Sequence, residues 1–191
     1  MEKIRLGPTI LAYPMPAFLL GSFICCKPNF MTAAWGGIAC GQPPMISISI
    51  HHKRYTLQGI KQTGEFSVCI PSQEQVTETD FCGIVSGKRY NKITVCGFDI
   101  FYGDLANAPM IVQCPVTLEC QVEQIPDLGS HVLVIGKITE THVNQNCLTE
   151  GKPDVEKIRP FIYSTGCRRE YIGFGNPIAQ AFQKGKDLKP G

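Results

Sequence analysis

Apolar and polar residues alternate most cleanly over Met45-Ile46-Ser47-Ile48-Ser49-Ile50-His51. Ile46, Ile48 and Ile50 share one face and Ser47, Ser49 and His51 the other, which is the period of a β-strand. Apolar runs bounded by turn residues predict further strands over Ala17–Cys26, Phe30–Cys40, Glu65–Pro71, Thr94–Phe101, Ile111–Ile125 and His131–Val143. Lys27-Pro28-Asn29 reads as the turn after the first, and Gly41-Gln42-Pro43-Pro44 as the break after the second. Within Ile111–Ile125, Thr117, Glu119, Gln121 and Glu123 alternate with Val116, Leu118, Cys120 and Val122, so this polar face is expected to meet solvent or a subunit.

Helical spacing is rarer. Leu57 and Ile60 predict a short helix over Tyr55–Thr63 with Gly64 as its C-cap, and Ser72 with Gln75 forms a capping box that opens a second helix ending before Gly87. The stretch Ser86–Lys92 reads as a basic loop and Asn144–Lys157 as a polar one. Arg159–Phe174 suggests a strand pair, Pro177–Lys184 a terminal helix around Ile178, Ala181 and Phe182, and Gly185–Gly191 a fraying end. Many short strands with few short helices predict a mainly β (α+β) fold, a closed or partly closed antiparallel barrel rather than a βαβ sheet. No linker or internal repeat divides the chain, so residues 1–191 form a single domain.

Composition narrows the function classes. The chain is 43% hydrophobic and 18% charged, a globular balance that leaves apolar surface for a symmetric partner. A formal charge of +2, with basic residues mostly scattered, argues against nucleic acid. Leu6 to Cys26 is uncharged, but Pro8, Pro14 and Pro16 disqualify it as a spanning helix or signal segment, so a cytoplasmic protein without a membrane segment is expected. The ten cysteines include no Cys-x-x-Cys pair and the four histidines have no metal-ligand spacing. Most of the cysteines are read as buried free thiols, with redox activity at Cys25-Cys26 as the alternative.

Two segments carry candidate chemistry. Asn29-Phe30-Met31-Thr32-Ala33-Ala34-Trp35 is poor in bulk apart from Met31 and aromatic Phe30 and Trp35, so a flat ring could lie against its backbone, as it could equally be a tightly packed strand anchored by Trp35. The strand through Ser47, Ile48 and Ser49 then runs into His51, His52, Lys53, Arg54 and Thr56, where cations and a hydroxyl meet a helix start. That combination suits a phosphate, and is also what a solvated basic turn looks like. The run Lys88-Arg89-Tyr90-Asn91-Lys92 offers a further cation. No dinucleotide fingerprint, P-loop or Gly-x-Ser-x-Gly elbow is present, so no catalytic side chain is assigned.

Taken in order, Asn29-Phe-Met-Thr-Ala-Ala-Trp35, Pro44-Met-Ile-Ser-Ile-Ser-Ile50 leading to Arg54-Tyr-Thr56, Thr63-Gly-Glu-Phe66, and Ser86-Gly87 with Asn91-Lys92 resemble the flavin reductase-like, FMN-binding split-barrel family, and most closely its flavoredoxin branch. The resemblance implies an antiparallel split β-barrel that binds FMN non-covalently near a homodimer interface, with FAD the less expected flavin. It places Asn29, Met31, Thr32, Ala33, Ala34 and Trp35 along the isoalloxazine, and Ser47, Ile48 and Ser49 under the ring and ribityl chain. Lys53, Arg54 and Thr56 fall at the phosphate and Lys92 close to the flavin. His51-His52, and Ile93 after the lysine, depart from the family's usual residues. The implied activity is an oxidoreductase passing electrons from NAD(P)H or a protein donor through FMN to flavin, metal or a redox protein partner. An FMN-binding electron carrier without a nicotinamide site is the alternative, and a barrel with an empty site a third reading.

Overall fold

The computed structural model describes residues 1–188. Its centre is a seven-stranded antiparallel sheet, built from β1 (Phe18–Ile24), β2 (Lys27–Ala33), β3 (Gly36–Gly41), β4 (Pro44–His51), β5 (Glu65–Ile70), β6 (Val116–Gln124) and β7 (His131–Val143), in the order β2-β1-β5-β6-β7-β4-β3. Met31 and Ala33 of the edge strand β2 share one core with Ile46, Ile48 and Ile50 of β4, so the sheet curls on itself without closing and makes a split barrel. Leu57 and Ile60 of α1 (Tyr55–Thr63) add to that core. This helix has the predicted bounds and ends where Gly64 takes the left-handed conformation (φ 69°) that L residues avoid.

A second core lies outside β1 and β5, where Leu19, Phe30 and Cys69 meet Cys82 of α2 (Val76–Ile84) and Phe98, Met110, Ile111 and Cys114. Strands covered on both faces lose their alternation, and Phe66, Ser67, Val68 and Cys69 are all buried. The capping box forms, Ser72 accepting from Glu74 N and donating its own amide to Gln75 Oε1, but it opens a 3-10 turn that precedes α2.

Several expectations are corrected. The first hairpin turns at Cys25-Cys26, both with positive φ (50° and 59°), and Lys27-Pro28-Asn29 already lies in β2. A tight turn of two left-handed residues suits the strand twist, and no glycine marks it. The run Phe30–Cys40 is two strands, broken at Ala34-Trp35, where Ser49 N donates to Trp35 O (2.8 Å). Thr94–Phe101 is not a strand: α3 (Lys92–Cys96), capped by Asn91, occupies its first half, and only Ile100–Phe101 pairs, with Met110–Ile111. Residues 111–125 likewise divide, β6 beginning at Val116.

Glu119 and Thr117 of β6 are buried, against the solvent-facing expectation, whereas Gln121 and Glu123 are exposed. The polar segment 144–157 holds a small hairpin, Leu148–Thr149 with Lys152–Pro153, and begins the short helix Val155–Ile158. The predicted strand pair appears as β8 (Phe161–Ser164) and β9 (Glu170–Gly173). The terminal helix does not: Ile178 and Phe182 are exposed, and only Lys184–Asp187 form a 3-10 turn. Of the tail expected to fray, Lys189–Gly191 lie outside the described residues. All ten cysteines are free, and only half are buried; burial pushes the Cys82 thiol up to about 12. Among the described residues no helix is long and apolar enough to cross a membrane.

Candidate functional site

The break between β2 and β3 places small side chains beside the C-terminal end of β4, and a cleft of about 550 Å³ opens there. Ala33, Ala34 and Trp35 form one wall; Ser49 and His51 of β4 and His131 of β7 lie next to them. His51 and His131 are cross-strand partners, which fixes their rings edge to face at 5.0 Å. The Trp35 indole is tilted over the His131 imidazole at 4.9 Å, so a half-exposed aromatic is held without being buried. Burial first, then the neighbouring basic side chains His51, His52 and Arg54, push the His131 pKa down. The ring is therefore neutral at neutral pH.

Asp80, Gly83 and Ile84 of α2 face that wall, with Tyr163 and Tyr171 of the C-terminal hairpin and Arg169 of its turn. The Tyr171 hydroxyl donates to Asp80 Oδ1 (3.0 Å) and pins the hairpin to α2. Burial first, then the Asp80 bond and charge, raise the Tyr171 pKa, so the phenol keeps its proton. Two bonds fix α2 itself: Thr32 Oγ1 donates to Thr79 O, and Arg54 Nη1 donates to Gly83 O (3.1 Å).

Met31, Arg54 and Ile84 also border a smaller recess of about 140 Å³ at the start of α1. Lys53, Thr56, Ser86, Gly87 and Lys92 complete it. Arg54 is the N-cap of α1 but provides no side-chain cap, and the first turn has no acidic residue. Open amides and adjacent cations make this recess suited to an anion. Thr56 is the second helical residue rather than the cap, and is buried; its Oγ1 accepts from Asn29 Nδ2 (2.7 Å). Gly87 packs against that amide so closely that a Cβ there would lie 1.8 Å from Asn29 Oδ1.

Lys92 is not a loop residue. It opens α3, is 4% exposed, and its Nζ donates to Phe30 O and Cys82 O, both at 2.8 Å. Burial pushes its pKa down, yet with two carbonyls accepting, the ammonium has one proton left to give.

Of the residues singled out in the sequence, Met31, Thr32, Ala33, Ala34, Trp35, Ser49 and Arg54 line the large cleft, and Lys53, Thr56 and Lys92 line the recess. Asn29 supports the recess through Thr56. Ser47 and Ile48 line neither opening: Ser47 Oγ donates to Gly37 O (3.5 Å), and the Ile48 side chain is fully buried in the core. His52 is drawn away by Gly129 O (2.8 Å), and Lys88 and Arg89 also lie outside cleft and recess. His131, Asp80, Tyr163, Arg169 and Tyr171 were not assigned to the site from the sequence, because each is brought in by a separate strand, helix or turn. Among the described residues no cluster suited to a metal ion occurs.

The residues present fit a phosphorylated flat cofactor. The cleft is within the usual size of a ligand site, one wall is built from small residues and Trp35, and it adjoins a cationic helix start. Independent likenesses point the same way. The family model described as "Flavin reductase like domain" matches residues 10–170. An uncharacterized protein of Archaeoglobus fulgidus is 33% identical over 144 residues, 75% of this chain and 80% of the relative. The crystal structure of flavoredoxin from Methanosarcina acetivorans superposes with a TM-score of 0.94 at 34% identity, covering 99% of this chain and 100% of that one. Flavoredoxin of Desulfovibrio vulgaris (Miyazaki F) does so with a TM-score of 0.90 at 36% identity, covering 96% and 100%.

Proposed function

Because this chain belongs to the flavin reductase like domain family, we propose that it is an FMN-dependent oxidoreductase that moves electrons from NAD(P)H or a protein donor to a flavin, a metal or a redox partner. The observation that carries this reading is the join between a flat-walled cleft and a cationic recess at an uncapped helix start. Neither feature alone would distinguish a flavin from any other ligand. When bound, FMN supplies the one- and two-electron chemistry, so the chain needs no nucleophile of its own.

The chain's residues bind and orient. Ala33 and Ala34 allow close approach to the backbone, and Trp35, backed by His131, provides an apolar surface. Lys53, Arg54 and the amides of α1 hold the phosphate, with the free proton of Lys92 available beside them. Arg54 must do this while bonded to Gly83 O, which ties phosphate binding to the position of α2. The neutral imidazole of His131 and the protonated Tyr171 line the cleft together with His51, Asp80 and Tyr163.

A homodimer is part of the same proposal. Ile10, Leu11, Ile38 and Phe174 are exposed, and such apolar surface is what a second copy would cover. The test is an absorption spectrum of the purified protein, read for flavin bands and again after anaerobic addition of NADH and NADPH. Flavin bands that bleach with a nicotinamide support the reductase. Bleaching only by a reduced ferredoxin-type protein would make the chain a carrier, and a colourless protein that ignores added FMN would refute both.

A further inference from the structure

A second opening of about 470 Å³ shares no lining residue with the large cleft. Lys27, Lys88, Arg89 and Lys92 line it, and no carboxylate does. Among the described residues none of the four is in an ion pair. One thiol stands among these cations. Cys25 lines the opening from the turn between β1 and β2, where it is exposed, while its neighbour Cys26 lies outside. Tyr55 links the thiol to the cations: its hydroxyl donates to Cys25 Sγ (3.7 Å), and Lys88 Nζ lies 5.5 Å from the centre of its ring. The bond to Cys25 first, then burial, raise the Tyr55 pKa, so the phenol keeps its proton and remains a donor to the sulfur.

We propose that Cys25 is a site of thiol–disulfide exchange with small disulfides that carry carboxylates, which seat on Lys27, Lys88 and Arg89. Uncompensated cations draw in and hold an anion, and an exposed thiol within the same opening turns that encounter into a covalent one. The volume suits a short peptide. Cys69, Cys82, Cys114, Cys120 and Cys147 are buried, and a thiol must be reachable to exchange. In the step, Cys25 gives its proton to water and its sulfur attacks one sulfur of the disulfide. A Cys25 Sγ–S bond forms as the S–S bond breaks, and the second half leaves as a thiolate that takes a proton from water. The Cys25 sulfur is oxidised and the leaving sulfur reduced, so the disulfide is itself the oxidant. The inference goes beyond the flavin reading and does not depend on it, since the mixed disulfide can be counted by mass with or without flavin.

The test is exchange on the full, reduced chain with oxidised glutathione, a net anion, and with cystamine, a dication, the modified cysteines being located by peptide mass spectrometry. The same rates at Cys25 in the urea-unfolded chain give the reference for each reagent. Relative to that reference, folding should favour oxidised glutathione over cystamine at Cys25 by at least about tenfold. Molar salt should erase most of this preference without any variant. The double variant Lys88→Glu/Arg89→Glu should abolish it while FMN affinity holds, because neither residue borders the cleft or the recess. No glutathione adduct at Cys25 in the folded chain, a preference no greater folded than unfolded, or one that survives both molar salt and the double variant would overturn the proposal.

Discussion

Lys92 and Glu119 are buried charges of opposite sign, and they are satisfied in different ways. Glu119 is fully enclosed; Oε1 pairs with His142 Nε2 (2.6 Å) and Oε2 accepts from Leu105 N (2.8 Å), so its oxygens are used up inside the protein. Lys92 meets no carboxylate, and its two backbone acceptors leave a proton at the edge of the recess. A buried charge that is completely paired holds a loop in place. One that is incompletely paired costs stability and keeps the capacity to bind.

The largest effect that would test this contrast is expected for Lys92→Met. Losing the ammonium strands two buried carbonyls, and unfolding free energy in urea should fall by about 3 kcal/mol, with FMN affinity falling as well. Glu119→Gln should cost about 2 kcal/mol in the same assay, since its amide cannot accept from both partners as the carboxylate does, but should leave FMN affinity unchanged. Equal loss of FMN in both variants would break the distinction.

Arg54→Ala isolates the anion term. FMN affinity should drop about tenfold while riboflavin, which lacks the phosphate, binds as before; a parallel loss for riboflavin would mean that Arg54 acts through Gly83 instead. Thr56→Val removes the acceptor for Asn29 Nδ2 and should reduce stability by about 1 kcal/mol by thermal unfolding.

The smallest effect concerns pH. The folded-state pKa of Lys92 is below its ordinary 10.5, so between those two values the unfolded chain binds more protons and stability rises with pH. Below the folded-state pKa both states are protonated and the cost of burying the charge is present in full. Denaturation midpoints measured on the alkaline side should show this rise in the parent and lose it in Lys92→Met.

These two charges also mark where sequence patterning stops being informative. Glu119 sits at a polar position of an alternating strand, and Lys92 in a basic run, so each read as exposed. Both are covered by other elements of the fold: the loop through Leu105 and strand residue His142 enclose Glu119, while β2 and α2 supply the carbonyls of Lys92. The same cause explains the lost alternation in β5 and the helix over Lys92–Cys96, since a second core outside the barrel rewards burial on a face the pattern assigned to water.

Local physics alone determined the elements whose signals are self-contained. The period of β4, the Leu57–Ile60 spacing closed by a left-handed Gly64, and the Ser72–Gln75 capping box all lie within a few residues of themselves. The small-residue run ending at Trp35 and the cations at Lys53 and Arg54 were legible for the same reason, because backbone access and charge density are properties of adjacent residues. Only the tertiary structure decided that these two runs meet at one site, and that His131, Asp80 and Tyr171 complete it. Those outcomes depend on register and on sheet curvature, which sum over many strands and leave no mark on any single stretch of chain.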